Sequence, residues 1–165
     1  MTSLTHFDDA GASRMVDVAG KEITLRLARA ESFVKMLPET AALVRDRGIT
    51  KGDVLEVARL AGIMGAKRTG DLIPLCHPLG IDGVELHLGF VDDQTLRIEA
   101  IVRVHGRTGV EMEALTAVTI AGLTVYDMCK AVDRGMQLGP TRLLEKSGGK
   151  SGHFVAERGS GKLEE

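Results

Sequence analysis

The sequence predicts an α+β domain, an antiparallel sheet that carries its helices on one face in the ferredoxin-like manner. Three observations point there. Apolar patterns run strand, strand, helix, helix, strand, strand, helix, strand, without the regular alternation that builds a parallel sheet. Residues 84 to 102 read as a hairpin whose register can be argued. Residues 107 to 131, RTGVEMEALTAVTIAGLTVYDMCKA, read as one long buried helix against which the rest can pack.

In chain order, residues 1 to 13 read as a flexible arm. Met15 to Val18 and Ile23 to Ala30 form two strands turning at Ala19-Gly20. In the second, Ile23, Leu25 and Leu27 alternate with Thr24 and Arg26, giving one buried face and one that presents Arg26. Met36 to Arg47 is a short helix that starts near Pro38-Glu39, where the missing proline N–H costs nothing, and stops at Gly48. Lys51 to Thr69 is a second helix, opened by Asp53 and Glu56 as a capping pair and carrying Val54, Val57, Ala61 and Met64 as its apolar stripe. Its small residues recur four apart, at Ala58/Gly62, Ala61/Gly65 and Gly62/Ala66. Glycine is costly inside a helix unless something packs close to the backbone, so this helix should tightly meet the long helix or another subunit. Asp71 to Gly80, DLIPLCHPLG, contains two prolines and reads as an extended, rigid loop.

In the hairpin, Val84, Leu86 and Leu88 share a buried face with Leu96, Ile98 and Val102 only if Val84 lies opposite Val102. That register leaves Asp92-Asp93-Gln94 as the turn and pairs His87 with Glu99 on the other face, as a surface cross-strand pair. The long helix takes Thr108 as N-cap and Glu111 as the return half of a capping box, with Leu115, Val118, Ala121, Gly122 and Val125 at helical spacing. Met136 to Leu144 is the last strand. A glycine-rich EKSGGKSG segment follows, and residues 159 to 165 form a flexible tail behind a single domain spanning 14 to 158.

Composition narrows function by exclusion. At 165 residues and 44% hydrophobic content the chain supports one substantial core. Its 21 basic and 23 acidic residues nearly balance, which argues against a generic nucleic-acid binder, and aromatics at 3% leave little for a stacking platform for single strands. Cys76 and Cys129 form no CxxC, so neither a disulfide framework nor a zinc site is indicated, and two thiols suit a reducing cytosol. The polar start has no secretory pattern and no apolar run reaches membrane-spanning length, so a cytoplasmic protein without membrane contact is expected.

Several groups could carry chemistry, each with a plain alternative. The GGKSG segment is no Walker loop, since Leu144 stands where the first glycine is needed, though Lys146 and Lys150 on flexible backbone could clamp an anion. Lys21 and Arg26 on the first hairpin and Lys67 beside the second helix are ordinary solvated cations or part of a polyphosphate site. Cys76 and His77 lie on the Pro-bounded loop; in extended chain they point to opposite sides, which disfavours a nucleophile and base pair and leaves His77 a positioning role. Capping explains Glu111 as well as function does, whereas Glu113 has no such explanation. Asp127 and Lys130, three apart on one helical face, suit either a surface ion pair or an acid/base couple.

The blocks KGDV, AGIMGAKRT, DLIPLCHPL, TGVEMEALTA, YDMCKA, GPTRLL and EKSGGKSG, in this order and at these intervals, resemble the cyclic pyranopterin monophosphate synthase family of molybdenum cofactor biosynthesis. The match runs over nearly all of residues 10 to 153, with mild departures at Gly70 and Arg107. The resemblance implies a homohexamer, a trimer of dimers with the active site at the dimer interface. It also implies a substrate that is a cyclised dihydro-GTP, converted to the pterin with a cyclic phosphate as pyrophosphate leaves. By the same resemblance Asp127, Lys130 and Lys51 are the catalytic set, and Leu75, Cys76, His77, Met112 and Glu113 contact substrate. Lys21, Arg26, Lys67 and Lys146 match phosphate-side positions. No metal ligand and no cofactor are implied, beyond a Mg²⁺ that a triphosphate can bring with it. Two other readings stay open on the residues themselves: a nucleotide-binding module without turnover, and an oligomeric scaffold with the small-residue helix as its seam.

Helix geometry adds one inference. Glu113 and Asp127 are fourteen positions apart, so in a continuous helix they share a face yet stand roughly 21 Å apart along the axis. Either the helix start is unwound, or the two residues serve sites in different subunits.

Overall fold

A computed structural model describes residues 10–49, 52–150 and 152–157. The beginning of the expected arm, the expected tail and Lys51 lie outside the described residues. The elements are β1 (Thr24–Lys35), α1 (Pro38–Arg45), α2 (Val54–Lys67), α3 (Thr69–Leu72), β2 (Gly83–Phe90), β3 (Thr95–Gly106), α4 (Glu111–Cys129), β4 (Gln137–Leu138), β5 (Arg142–Ser147) and β6 (Phe154–Val155). The fold is α+β, with an antiparallel sheet in the order β2-β3-β1-β5-β6 and β4 paired beside β5 on β1.

The sheet has two unlike faces because its strands alternate. Ala28, Ala30 and Val34 of β1 and Leu96, Ile98, Ala100, Val102 and Val104 of β3 point one way and are fully buried. Helix α4 lies across them, and α2 packs on α4 and β2. The opposite face carries a ladder of charge. There Glu31, 3% exposed, accepts from Arg97 at 2.7 Å and Arg142 at 2.8 Å. Burial pushes the Glu31 carboxyl up, but the two guanidinium groups outweigh burial and hold it below the ordinary value. The β2–β3 hairpin has the register expected from its alternation, Val84 opposite Val102 and His87 opposite Glu99, with His87 exposed.

The close approach of α2 to α4 explains the small residues of α2. A side chain at Gly62 would overlap Leu86 and stand 2.9 Å from the Ala117 carbonyl oxygen, and one at Gly65 would stand 2.9 Å from Ile120. The buried face of α2 is therefore Val54, Ala58, Gly62, Gly65 and Ala66. This corrects the stripe expected from hydrophobicity: Val54 is buried, but Val57 and Met64 are exposed. Asp53 does cap α2, its carboxylate accepting from the Glu56 N–H at 3.1 Å, while the Glu56 side chain pairs with Arg59 rather than completing a box.

Four other local expectations are corrected. Residues 15–18 form no strand; the turn remains, with Lys21 N–H donating to Val18 O at 3.0 Å. The expected rigid loop begins as a helical turn, α3, before extending. Helix α4 starts at Glu111 with Val110 as N-cap and no side-chain cap, so Thr108 does not cap it. The last strand is split at Gly139-Pro140, where proline has no N–H to give, and the glycine-rich segment folds back so that β6 pairs with β5.

Candidate active site

The start of α4 and the chain leading into it gather most of the residues singled out above. The first turn of α4 presents Glu111, Met112 and Glu113, and the loop after α3 brings Leu75, Cys76 and His77 against them. Together with Lys21 they line a cavity of about 350 Å³. Cys76 and His77 face the same cavity, against the alternation of an extended chain, because the Cys76 N–H bonds back to Ile73 O at 3.1 Å and turns the backbone there. A second cavity of about 220 Å³ adjoins the first and shares Lys21, Thr108, Gly109 and Glu111 with it. Its walls add Arg26, Arg107 and Lys146.

These positions follow from the sheet. Arg26 stands on β1 opposite Val104, on the helix-facing side, so it is buried rather than presented to solvent. Its guanidinium donates to the carbonyls of Gly106 at 3.3 Å and Arg107 at 3.2 Å and so pins the loop that enters α4. Lys146 lies on β5 opposite Ala28 and reaches Glu111 at 3.2 Å. The chain then leaves β5 through Gly148 and Gly149, both at positive φ. A side chain at Gly148 would strike the Leu25 carbonyl, and one at Gly149 the Arg26 guanidinium, so the paired glycines are required by backbone conformation and by Arg26 together.

Electrostatically the site is divided. Glu113 is 4% exposed; burial, with the Glu111 charge adding to it, pushes its carboxyl up to about 7 against the pull of its own backbone N–H. Burial, then the charge of Glu113, also raises the Cys76 thiol, so Cys76 is no activated thiolate at neutral pH. Lys67, at the end of α2, lines a small adjoining cavity with Glu113, Asp71 and Leu79 rather than the one that holds Arg26 and Lys146. Among the described residues no three His, Cys, Asp or Glu side chains converge as a metal-ligand set.

The other sequence candidates lie elsewhere. Asp127 and Lys130 stand at the far end of α4, where Lys130 Nζ donates to Asp127 Oδ1 at 2.6 Å with both side chains more than half exposed. Because α4 is unbroken from Glu111 to Cys129, the fourteen positions between Glu113 and Asp127 span roughly 21 Å, and unwinding does not bring them together. Lys51, as noted, is not described. Sequence reasoning missed Val16, Val18 and Leu79 as cavity walls and Arg107, whose guanidinium donates to the Lys21 carbonyl at 3.1 Å. For Arg107 its place next to Thr108-Gly109 was the available signal; the apolar three carried none distinct from core residues.

Comparison with known proteins identifies the family. The sequence model of the MoaC family matches residues 15–149. The chain is similar to proteins named cyclic pyranopterin monophosphate synthase from several bacteria. It is 61% identical to that of Dinoroseobacter shibae over 95% of this chain and 100% of the relative. With that of Heliobacterium modesticaldum identity is 58% over 95% and 99%, and with that of Desulfitobacterium hafniense it is 56% over 93% and 94%.

Proposed function

The chain belongs to the MoaC family, and on that premise we propose that it is a lyase of molybdenum cofactor biosynthesis that forms cyclic pyranopterin monophosphate. A cyclised dihydro-GTP is rearranged to the pterin with its cyclic phosphate, and pyrophosphate leaves. Ring opening, ring reclosure and phosphate cyclisation each move protons, and a positioned acid or base is worth about 10²- to 10⁴-fold per transfer. Lys51 and Lys130 exchange protons with the purine-derived ring, and Asp127 orients Lys130 through their 2.6 Å contact. His77 and Glu113 hold the base between Leu75, Cys76 and Met112. Lys21, Arg26, Lys146 and Lys67 take the triphosphate, with whatever Mg²⁺ it carries, and neutralise charge as pyrophosphate departs. The GTP-derived substrate argues for a cytoplasmic location.

The observation that carries this reading is the division of these residues along one helix. The cavities at the start of α4 hold the binding groups, while the proton-transfer pair sits at its far end. A base held at Glu113 lies roughly 21 Å from Asp127 of the same chain. A second copy therefore supplies Asp127 and Lys130, as in a homohexamer built as a trimer of dimers with the site at the dimer interface. The strand order β2-β3-β1-β5, with α4 returning between β3 and β5, supports reading the core as ferredoxin-like.

Two experiments test this. With the cyclised dihydro-GTP, the protein should yield cyclic pyranopterin monophosphate and one pyrophosphate per turnover. Saturable binding without pyrophosphate would leave a nucleotide-binding module, and neither would leave a scaffold. For sharing, an inactive Glu113→Ala protein mixed with an inactive Lys130→Ala protein should regain activity as subunits exchange; no recovery under demonstrated exchange would reject a shared site.

A further inference from the structure

Glu111 lies in the wrong place for a residue whose business is capping. Helix α4 is capped at Val110 without any side-chain bond, and the Glu111 carboxylate turns instead into the smaller cavity. There, among the described residues, it is the acid among Lys21, Arg26, Arg107 and Lys146, and it pairs with Lys146 at 3.2 Å. It is also closely seated: a Cβ on Gly109 would overlap the Glu111 carboxylate, so in this rotamer the side chain lies directly against the glycine of the entering loop. Both partners are about three-quarters covered. Lys146 is held from behind by its place on β5 opposite Ala28.

A cationic cavity that already contains a carboxylate on one of its lysines is occupied before any ligand arrives. The geometry points to Glu111 as an internal stand-in for a phosphate of the substrate, seated on Lys146 and displaced from it when the phosphate chain binds. The inference rests on the phosphate reading of this cavity given above. Its consequence is specificity. A ligand that offers only phosphates must give back the Glu111–Lys146 contact and accept a carboxylate beside it, so free polyphosphate binds weakly and pyrophosphate is not retained. A substrate that also engages the Glu113 cavity can offset that loss.

The test is calorimetric titration of inorganic tripolyphosphate and pyrophosphate into the full-length protein, its Glu111→Gln and Lys146→Ala variants, and the double variant, at low and moderate salt. Glutamine keeps the shape and removes the charge. We expect Glu111→Gln to bind tripolyphosphate at least about tenfold tighter than wild type, consistent with relieving one close like-charge contact. Lys146→Ala should weaken binding, and in the Lys146→Ala background Glu111→Gln should gain little, because there is no longer a contact to compete for. Tighter binding by Glu111→Gln that persists undiminished without Lys146 would show only a general field and overturn the stand-in. So would no tightening at all while Lys146→Ala still weakens binding, which would leave the phosphate reading intact. Should Lys146→Ala leave tripolyphosphate affinity unchanged, the phosphate reading of the cavity fails, and the stand-in with it.

Discussion

Glu113 should make the protein less stable as pH rises through neutrality, and replacing it by glutamine should remove that dependence. The side chain is 4% exposed and its carboxyl is pushed from 4.5 up to about 7, burial being the main cause and the neighbouring Glu111 charge the second. Between those two values the folded chain keeps a proton that the unfolded chain has released, so folding takes up a proton and stability falls with increasing pH across that window. A shift of this size corresponds to about 3 kcal/mol between the acid and alkaline limits. At pH 4 both states are protonated and Glu113→Gln should match wild type. By pH 8 the variant should be the more stable by about 2 to 3 kcal/mol relative to that baseline. The assay is urea denaturation of both proteins at a series of pH values and one fixed protein concentration, since any assembly would make stability concentration-dependent. Parallel pH curves for the two proteins would refute the reasoning, because they would mean that Glu113 is ionised in the folded chain at the same pH as in the unfolded one.

Three further outcomes follow from particular contacts. Lys130→Ala should leave stability within about 0.5 kcal/mol of wild type, since an exposed pair three residues apart contributes little, yet lower turnover at least about 10²-fold; a variant with normal turnover would remove Lys130 from the chemistry. Gly62→Ala should cost about 1 to 3 kcal/mol and lower the melting temperature, because the new methyl meets the Ala117 carbonyl, which belongs to the backbone of α4 and cannot step aside; an unchanged melting temperature would contradict the close packing. Asp133, 4% exposed, accepts from Leu37 N–H at 2.8 Å and Gly135 N–H at 3.0 Å. Asp133→Ala should cost about 2 to 4 kcal/mol by denaturant titration, and Asp133→Asn, which keeps one acceptor, should recover part of it.

What the sequence made legible divides by mechanism. The β2–β3 register was readable because a period-two pattern with a polar turn admits one pairing that buries Val84, Leu86 and Leu88 together. That α2 has a close neighbour was readable from Gly62 and Gly65, since glycine inside a helix is costly without one, but whether that neighbour was α4 or another subunit was not. The buried stripe of α2 was misread for the same physical reason. Where two helices approach closely enough to need Ala and Gly between them, the small residues face inward and large ones such as Val57 and Met64 are turned out, so hydrophobicity points to the wrong face. The false strand at residues 15–18 and the false cap at Thr108 share another cause. Both matched a local pattern without the chain adopting it, and at Thr108 distant chain is involved: Arg26 holds the carbonyls of Gly106 and Arg107 in the loop just before the expected cap. The residues lining these cavities could be singled out one by one, but their convergence could not, because Lys21, Arg26, Lys146 and Glu111 come together only through the pairing of β1 with β3 and β5.

The two ends of α4 differ in a way that bears on how the chemistry is assembled. Glu113 is already desolvated within its own chain, and its raised carboxyl is the physical result. Asp127 and Lys130 stand more than half exposed. In that setting water screens their interaction, and a proton donor must compete with solvent for every transfer. An acid/base pair gains its catalytic advantage when water is excluded and the groups are held against the reacting atoms. For Asp127 and Lys130 that enclosure has to come from outside their own stretch of α4. Substrate alone does not supply it, because the cavities that would hold substrate in this chain lie at the opposite end of a rigid, buried helix. On the proposed reading, a neighbouring copy bringing its own Glu113 cavity against this Lys130 would supply both the enclosure and the substrate at once. The exposure of the pair then becomes the argument for a second chain, and the length of α4 would set how far apart each chain's contributions to two sites stand.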